Sequence, residues 1–386
     1  MGPALARHDL ERTLACPDCR GALEEEPRAF LCRGCGARWP IVRGIPRFVA
    51  SEQYVGSFGY EWRRHRATQL DSRKSRESEE TFAAKTGLRP EDVSGKRVLD
   101  VGVGAGRFAD VVARWGGTPT GVDLSLAVRA ARRNLARYEG ARVLQADLFR
   151  LPFHGESFDI VYSIGVLHHT PSTRDALRAI APLVRPGGIL AAAVYDDVPH
   201  EWYRHADRHR RWTTAMSHSL LHLLSHVAIG KQHVHEALRA GLGRFGPYAA
   251  GQAQWALPTR EHQDPRWRVL DTFDWYSPRY QWRHEEREVR RWFEELGFEE
   301  VSRTSDRTMI CVRGRRPAAG SLRVPPPSSE AREGALAALP GWVPPPGMLR
   351  DLVLAAALTG SVARSALEVT AGAAALVVRK ARGLSR

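Results

Sequence analysis

At 386 residues the chain is too long for one compact core and calls for two or three folded units. Its 43% hydrophobic and 26% charged content excludes a wholly disordered chain and a membrane-spanning bundle. The formal charge of +14 raises a nucleic-acid partner, but the excess is spread along the whole chain, whereas a nucleic-acid footprint gathers on one face. Only five of the 57 basic residues are lysine, which points to GC-rich coding and discounts the charge as a functional clue.

The first element is a cysteine segment. Cys16-Pro-Asp-Cys19 and Cys32-Arg-Gly-Cys35 are two C-x-x-C pairs, each suited to a tight turn presenting two thiolates. Four thiolates complete a tetrahedral Zn²⁺ site with no open position, so a structural zinc ribbon is expected over 1–48 rather than a redox dithiol or a disulfide framework. The fifth cysteine, Cys311, stands alone. Met1–Leu10 lacks the apolar core of a secretory signal, which makes the cytoplasm the expected location. Through Leu14-Ala-Cys-Pro-Asp-Cys19 and Trp39-Pro-Ile-Val-Arg-Gly-Ile-Pro-Arg-Phe48, the segment resembles the short Trm112-like zinc domain.

A polar connector dotted with aromatics, 49–95, follows. From 96 onward, short β-branched runs alternate with helical patterns, which means βαβ units and a parallel sheet. The strands are predicted at Val98–Val101, Pro119–Val122, Arg142–Gln145, Asp159–Ser163 and Ile189–Val194. The helices between them are predicted at Gly106–Trp115, Leu126–Tyr138 and Thr173–Leu183. A Trp-, His- and Arg-rich insertion, 196–282, interrupts this pattern. A helix, Glu285–Leu296, and a closing antiparallel hairpin, Phe298–Arg303 with Thr308–Arg313, complete it by 316. A Pro-rich linker (317–347) leads to an Ala-rich helical tail (348–386). Arg364 and Glu368 interrupt the tail, so it is read as packed or interfacial, with weak membrane-surface contact left open by its basic end.

Val98-Leu-Asp-Val-Gly-Val-Gly-Ala-Gly106 sets a glycine loop between strand and helix, where backbone can approach a ligand. Arg107 stands where a dinucleotide fingerprint needs glycine, so NAD is disfavoured. Asp123 ends the second strand, placed for a ribose diol, and Asp147 ends the third, placed for an adenine amine. Ser157-Phe-Asp-Ile-Val-Tyr-Ser163 and Leu183-Val-Arg-Pro-Gly-Gly-Ile-Leu190 complete the ordered set.

With these motifs, residues 97–195 and 285–313 resemble a class I S-adenosylmethionine-dependent methyltransferase. The resemblance implies an α/β, doubly wound, Rossmann-like sheet of seven strands, with the zinc ribbon before it and the insertion as a helical cap. It implies that Asp100, Gly102, Gly104 and Gly106 hold the methionine end of S-adenosylmethionine. Asp123 and Leu124 would then hold the ribose, Asp147 and Leu148 the adenine, with Ser163 also at the cofactor. The whole chain resembles a narrower bacterial group of methyltransferases through Phe58-Gly-Tyr-Glu-Trp62, Thr68-Gln-Leu-Asp71, Ser163-Ile-Gly-Val-Leu-His-His-Thr170 and Phe273-Asp-Trp-Tyr-Ser-Pro-Arg-Tyr280.

Methyl transfer to a hydroxyl needs a base beside the methyl group. His168 and His169, at the carboxyl end of the fourth strand, and His284 are the candidates. Tyr195, Asp274, Tyr276 and Tyr280 are the candidate acceptor pocket, with the insertion expected to cap it. Tyr60 and Trp62 are read as closing over the cofactor or packing in the core. His218, His222 and His226 share a helical face, but no further ligand completes a metal site there. The expected partner is a small-molecule acceptor methylated at oxygen. The alternative is an RNA or protein methyltransferase that recognises its target through the zinc ribbon. Against this alternative, the fourth motif lacks the Asn/Asp-Pro-Pro-aromatic sequence common in enzymes that methylate base amines.

Overall fold

The computed structural model describes residues 13–49, 55–72, 75–197, 201–241, 247, 250–251, 257–259, 261–320, 322–323, 351 and 353–366. The chain divides into two compact units, Met1–Asp197 with Tyr280–Gly334 and Val198–Arg279 with Ala335–Arg386.

The first unit holds two sheets. Strands β1 (Leu23–Glu26), β2 (Ala29–Cys32), β3 (Arg38–Val42) and β4 (Ile45–Pro46) form a four-stranded antiparallel sheet around the cysteines. Strands β5 (Arg97–Val101), β6 (Thr118–Asp123), β7 (Arg142–Gln145), β8 (Phe158–Ile164), β9 (Val184–Val194), β10 (Glu299–Arg303) and β11 (Ile310–Arg315) form the main sheet. Its order is β10-β11-β9-β8-β5-β6-β7. β5 to β9 run parallel, and the terminal hairpin is antiparallel, as the alternation and the last two runs predict. The central strands are apolar on both faces (Val98, Leu99, Val101, Ile160, Val161 and Tyr162 are buried), which a sheet covered by helices on both sides requires. The chain leaves β5 toward β6 and β7 on one side and returns to β8 on the other, so the strand order reverses between β5 and β8. Open α/β sheets bind ligands in the crevice at such a reversal.

The cysteine sheet is spliced onto the β7 edge. Ala15 donates to the Pro152 carbonyl (3.0 Å) and Phe48 to the Gln145 carbonyl (2.8 Å), with Arg47 bridged parallel to Gln145. Phe30, Phe48 and Leu14 share one core with Leu144, Leu151 and Phe153. Burying each such side chain contributes roughly 1.5–3 kcal/mol, so the ribbon is part of the main core.

Two elements depart from expectation. The 49–95 connector contains helices at Gly56–Arg64, Glu77–Thr86 and Pro90–Val93. The predicted helix Leu126–Tyr138 is shorter, Val128–Asn134, because Asn134 turns its amide to the Arg66 and Ala105 carbonyls and Tyr138 reaches Asp110 (3.0 Å).

The second unit is helical, with helices at Glu201–Thr213, His218–Ser225, Val227–Gly241 and Pro265–Tyr276. The tail belongs to it. His209 and the Ser361 hydroxyl meet at 2.9 Å, and the Ser217 N–H donates to Asp351 (2.9 Å). The part of the tail beyond 366 and the 324–347 portion of the linker lie outside the described residues. Among the described residues no helix is long and apolar enough to cross a membrane.

Candidate functional site

The loop after β5 is held on β6. Gly102 and Val103 both donate to the Val122 carbonyl (2.8 and 2.9 Å), and Gly104 donates to the Asp123 carboxylate (3.0 Å). Gly102 has φ +85°, and a Cβ there would fall 2.2 Å from Val166, so only glycine fits between the loop and the segment after β8. The other oxygen of Asp123 accepts from the Ser125 N–H (2.8 Å), which fixes the carboxylate at the carboxyl end of β6. Asp147, at the end of β7, caps the turn Leu148–Arg150 by accepting from the Phe149 N–H (3.0 Å).

Leu124 is buried and its carbonyl accepts from the Gln145 amide (2.9 Å), while Leu148 packs half-buried against the main core. The fully buried Ser163 hydroxyl donates to the Val101 carbonyl (2.9 Å), tying β8 to β5 directly beneath the glycine loop. Asp100 is buried beside the same loop. Burial pushes its carboxyl up to about 7, and the Asp123 charge adds to this. The nearby Tyr162 hydroxyl acts in the opposite direction without completing a geometric hydrogen bond.

The second half of the site follows β8. His168 is fully buried, and neither of its ring nitrogens has a hydrogen-bond partner. Burial, then the neighbouring His169, His284 and Lys85, holds its pKa well below the usual imidazole value, so it is neutral at pH 7. Its ring lies 4.0 Å from that of Tyr195 and 4.2 Å from that of His169. His169 Nδ1 meets the Tyr280 carbonyl at 2.8 Å, and because a carbonyl only accepts, Nδ1 carries the proton of that bond. Trp282 locks the same stretch, its backbone N–H on the His168 carbonyl (2.9 Å) and its indole on the Thr170 carbonyl (2.8 Å).

The structure thus places the rings of His168, His169 and Tyr195 together, with the Tyr280 backbone carbonyl on His169. His284 is nearby but committed, with Nε2 2.9 Å from the Thr173 hydroxyl and Nδ1 3.1 Å from the Glu288 carboxylate. Asp274 and Tyr276 belong to the helical unit. There the Tyr276 hydroxyl donates to the Pro258 carbonyl (2.7 Å), and burial pushes the carboxyl of Asp274 up to about 7.

Sequence reasoning missed Gln281, whose side-chain amide has no partner on either atom, and quoted Phe58 in a matching stretch without placing it at the site, where its ring stands 5.5 Å from that of His169. No spacing or composition signal marks Gln281, and the Phe58 motif says nothing of its contact with His169, because both are placed by tertiary packing.

At the cysteines, all four Sγ atoms lie within 4.8 Å of one another. Cys16–Cys35 is 3.8 Å and Cys19–Cys32 is 3.3 Å, well beyond a disulfide bond. Four sulfurs at 2.3 Å from a tetrahedral metal stand about 3.8 Å apart, so the cluster fits one such ion.

Residues 99–192 match the family described as methyltransferase domain. Together with the sheet order and the ordered motifs, this defines a class I methyltransferase domain. Among curated relatives, the chain is 38% identical over 101 residues to the ubiquinone biosynthesis O-methyltransferase of Thiobacillus denitrificans, covering 25% of this chain and 43% of that protein. It is 36% identical over 135 residues to an uncharacterized methyltransferase of Mycobacterium bovis, covering 34% of this chain and 59% of that one. Among solved structures, an S-adenosylmethionine-dependent methyltransferase from Mesorhizobium loti is 28% identical, with a TM-score of 0.28, over 32% of this chain and 53% of that chain. The chain therefore spans about two fifths of the length of the first of these curated relatives and three fifths of the second.

Proposed function

We propose that the protein is an S-adenosylmethionine-dependent methyltransferase acting on a small organic acceptor at a hydroxyl oxygen. The reading is carried by the crevice at the strand-order reversal, which has carboxylates suited to a nucleoside on one side and a buried, neutral, unpartnered imidazole on the other. The O-methyltransferase name of the Thiobacillus relative supports the choice of oxygen.

When bound, S-adenosylmethionine supplies an activated methyl group on a sulfonium. In this reading Asp123 accepts the ribose hydroxyls, Asp147 the adenine amine and Asp100 the ammonium of the methionine arm. His168 takes the acceptor's proton, since it stays unprotonated at working pH and has a free lone pair to offer. The Tyr195 ring, 4.0 Å from that of His168, lines the same spot. His169, fixed by the Tyr280 carbonyl, orients the pair, and His284 is a brace rather than a base because both of its nitrogens are engaged. The four cysteines hold a structural zinc ion.

Calorimetric titration with S-adenosylhomocysteine tests the cofactor assignment. Wild type should bind, and Asp123→Ala should weaken binding by roughly 1.5–3 kcal/mol through loss of charge-assisted bonds. Equal affinity in the two proteins would remove Asp123 from the site.

A further inference from the structure

The connector helix Gly56–Arg64 carries an aromatic residue that touches the cofactor loop. Trp62 Cε2 and Nε1 each lie 3.2 Å from the point where a Cβ on Gly104 would sit. Gly104, at φ +51°, has no Cβ there, so the indole rests directly on the backbone whose N–H is bonded to Asp123. Trp62 is half-buried, and among the described residues its indole N–H has no hydrogen-bond partner. The same helix places Phe58 on the His169 ring, so one rigid element contacts both halves of the crevice.

Besides the adenine amine, the polar handles of the proposed cofactor are a diol, an ammonium and a carboxylate. Asp123 and Asp100 suit the first two and repel the third. A carboxylate in this crevice therefore needs a donor of its own, and the Trp62 N–H beside the glycine loop supplies one. Arg63 and Arg64, stacked on Tyr60, make that end of the helix electropositive.

We propose that Trp62 is a cofactor-binding residue whose indole N–H donates to the carboxylate of the methionine arm, while its ring closes the glycine loop from solvent. The proposal rests on the methyltransferase reading and assigns to that site a residue outside the methyltransferase domain match.

The test measures calorimetric affinities of full-length protein for S-adenosylhomocysteine, which carries the carboxylate, and 5′-methylthioadenosine, which lacks the amino-acid arm. Trp62→Phe keeps an aromatic ring and deletes the donor. It should weaken S-adenosylhomocysteine about tenfold, near the low end for a hydrogen bond to a charged group, and leave methylthioadenosine unchanged. Trp62→Ala should weaken both ligands, because it also removes the ring. The melting temperature of Trp62→Phe should match wild type, separating a lost contact from a lost fold. Unchanged S-adenosylhomocysteine affinity in Trp62→Phe, or equal loss for both ligands, would overturn the assignment while leaving the methyltransferase reading intact. Failure of wild type to bind either ligand would overturn both.

Discussion

At the scale of single residues, burial holds Asp100 and His168 of the candidate site out of their ordinary state, and each has a consequence in pH. Asp100, pushed up to about 7, keeps its proton in the free protein where an exposed carboxyl would have lost it. A cofactor ammonium favours the ionised form, so below about pH 7 binding must first expel that proton, and above it no such cost remains. Affinity for S-adenosylhomocysteine should rise as pH increases toward 7 and then level off. Asp100→Asn should bind more weakly with no such slope, and a slope that survives the substitution would place the titrating group elsewhere. His168 is displaced the other way. Its pKa lies below the ordinary value near 6.5, so the acid limb of kcat/KM should fall below that pH. Removing a general base typically costs 10²–10⁴ in rate, so His168→Gln should lose roughly that much in kcat with cofactor affinity retained. His284→Gln should instead lower the melting temperature, because it breaks the bonds to Thr173 and Glu288, and should change kcat little.

At the scale of elements, legibility tracked how local the determining physics is. The parallel strands were readable because strands buried on both faces are continuous β-branched runs bounded by glycine and aspartate, and all five begin or end within a few residues of the predicted limits. The helix Glu77–Thr86 was not readable. Only Phe82 anchors its apolar side, packed on Tyr162 and Trp115, while Glu79 and Asp71 are held by Arg114 from another helix. A short charged helix stabilised by distant arginines leaves no 3.6-residue pattern to find. The cysteine pairs announced a metal site, but not that the ribbon would be joined to the β7 edge through Arg20 on the Leu151 carbonyl, Asp18 on Arg150 and Phe48 on Gln145. That edge leads directly into Asp147. Metal analysis should find one zinc per chain. Cys19→Ser should lower zinc content and, by loosening the Leu151–Phe153 stretch, lower the melting temperature of the first unit as well as that of the ribbon. A variant that loses zinc with no change in melting would show the metal to be dispensable to the fold.

At the scale of the whole molecule, the chain is two units threaded through each other's sequence. The insertion leaves after Tyr195 and returns at His284, and these two points are already fastened: His284 N–H donates to the Tyr195 carbonyl (3.0 Å) and Asp197 N–H to the His284 carbonyl (2.9 Å). The first unit thus closes on itself without the helices. The second unit needs the tail as well, since residues on both sides of the linker form its contacts. A short linker replacing 198–279, combined with removal of 335–386, should therefore leave a folded protein that binds S-adenosylhomocysteine with near wild-type affinity. If the insertion supplies the acceptor site, the same protein should have no turnover on the acceptor. The assay is methyl transfer from labelled S-adenosylmethionine to acceptors drawn from a host-cell small-molecule extract, run beside the full chain. Turnover retained in the shortened protein would move the acceptor site into the first unit. Loss of cofactor binding together with loss of fold would show that the fastening at Tyr195 and His284 is not enough to make the first unit independent.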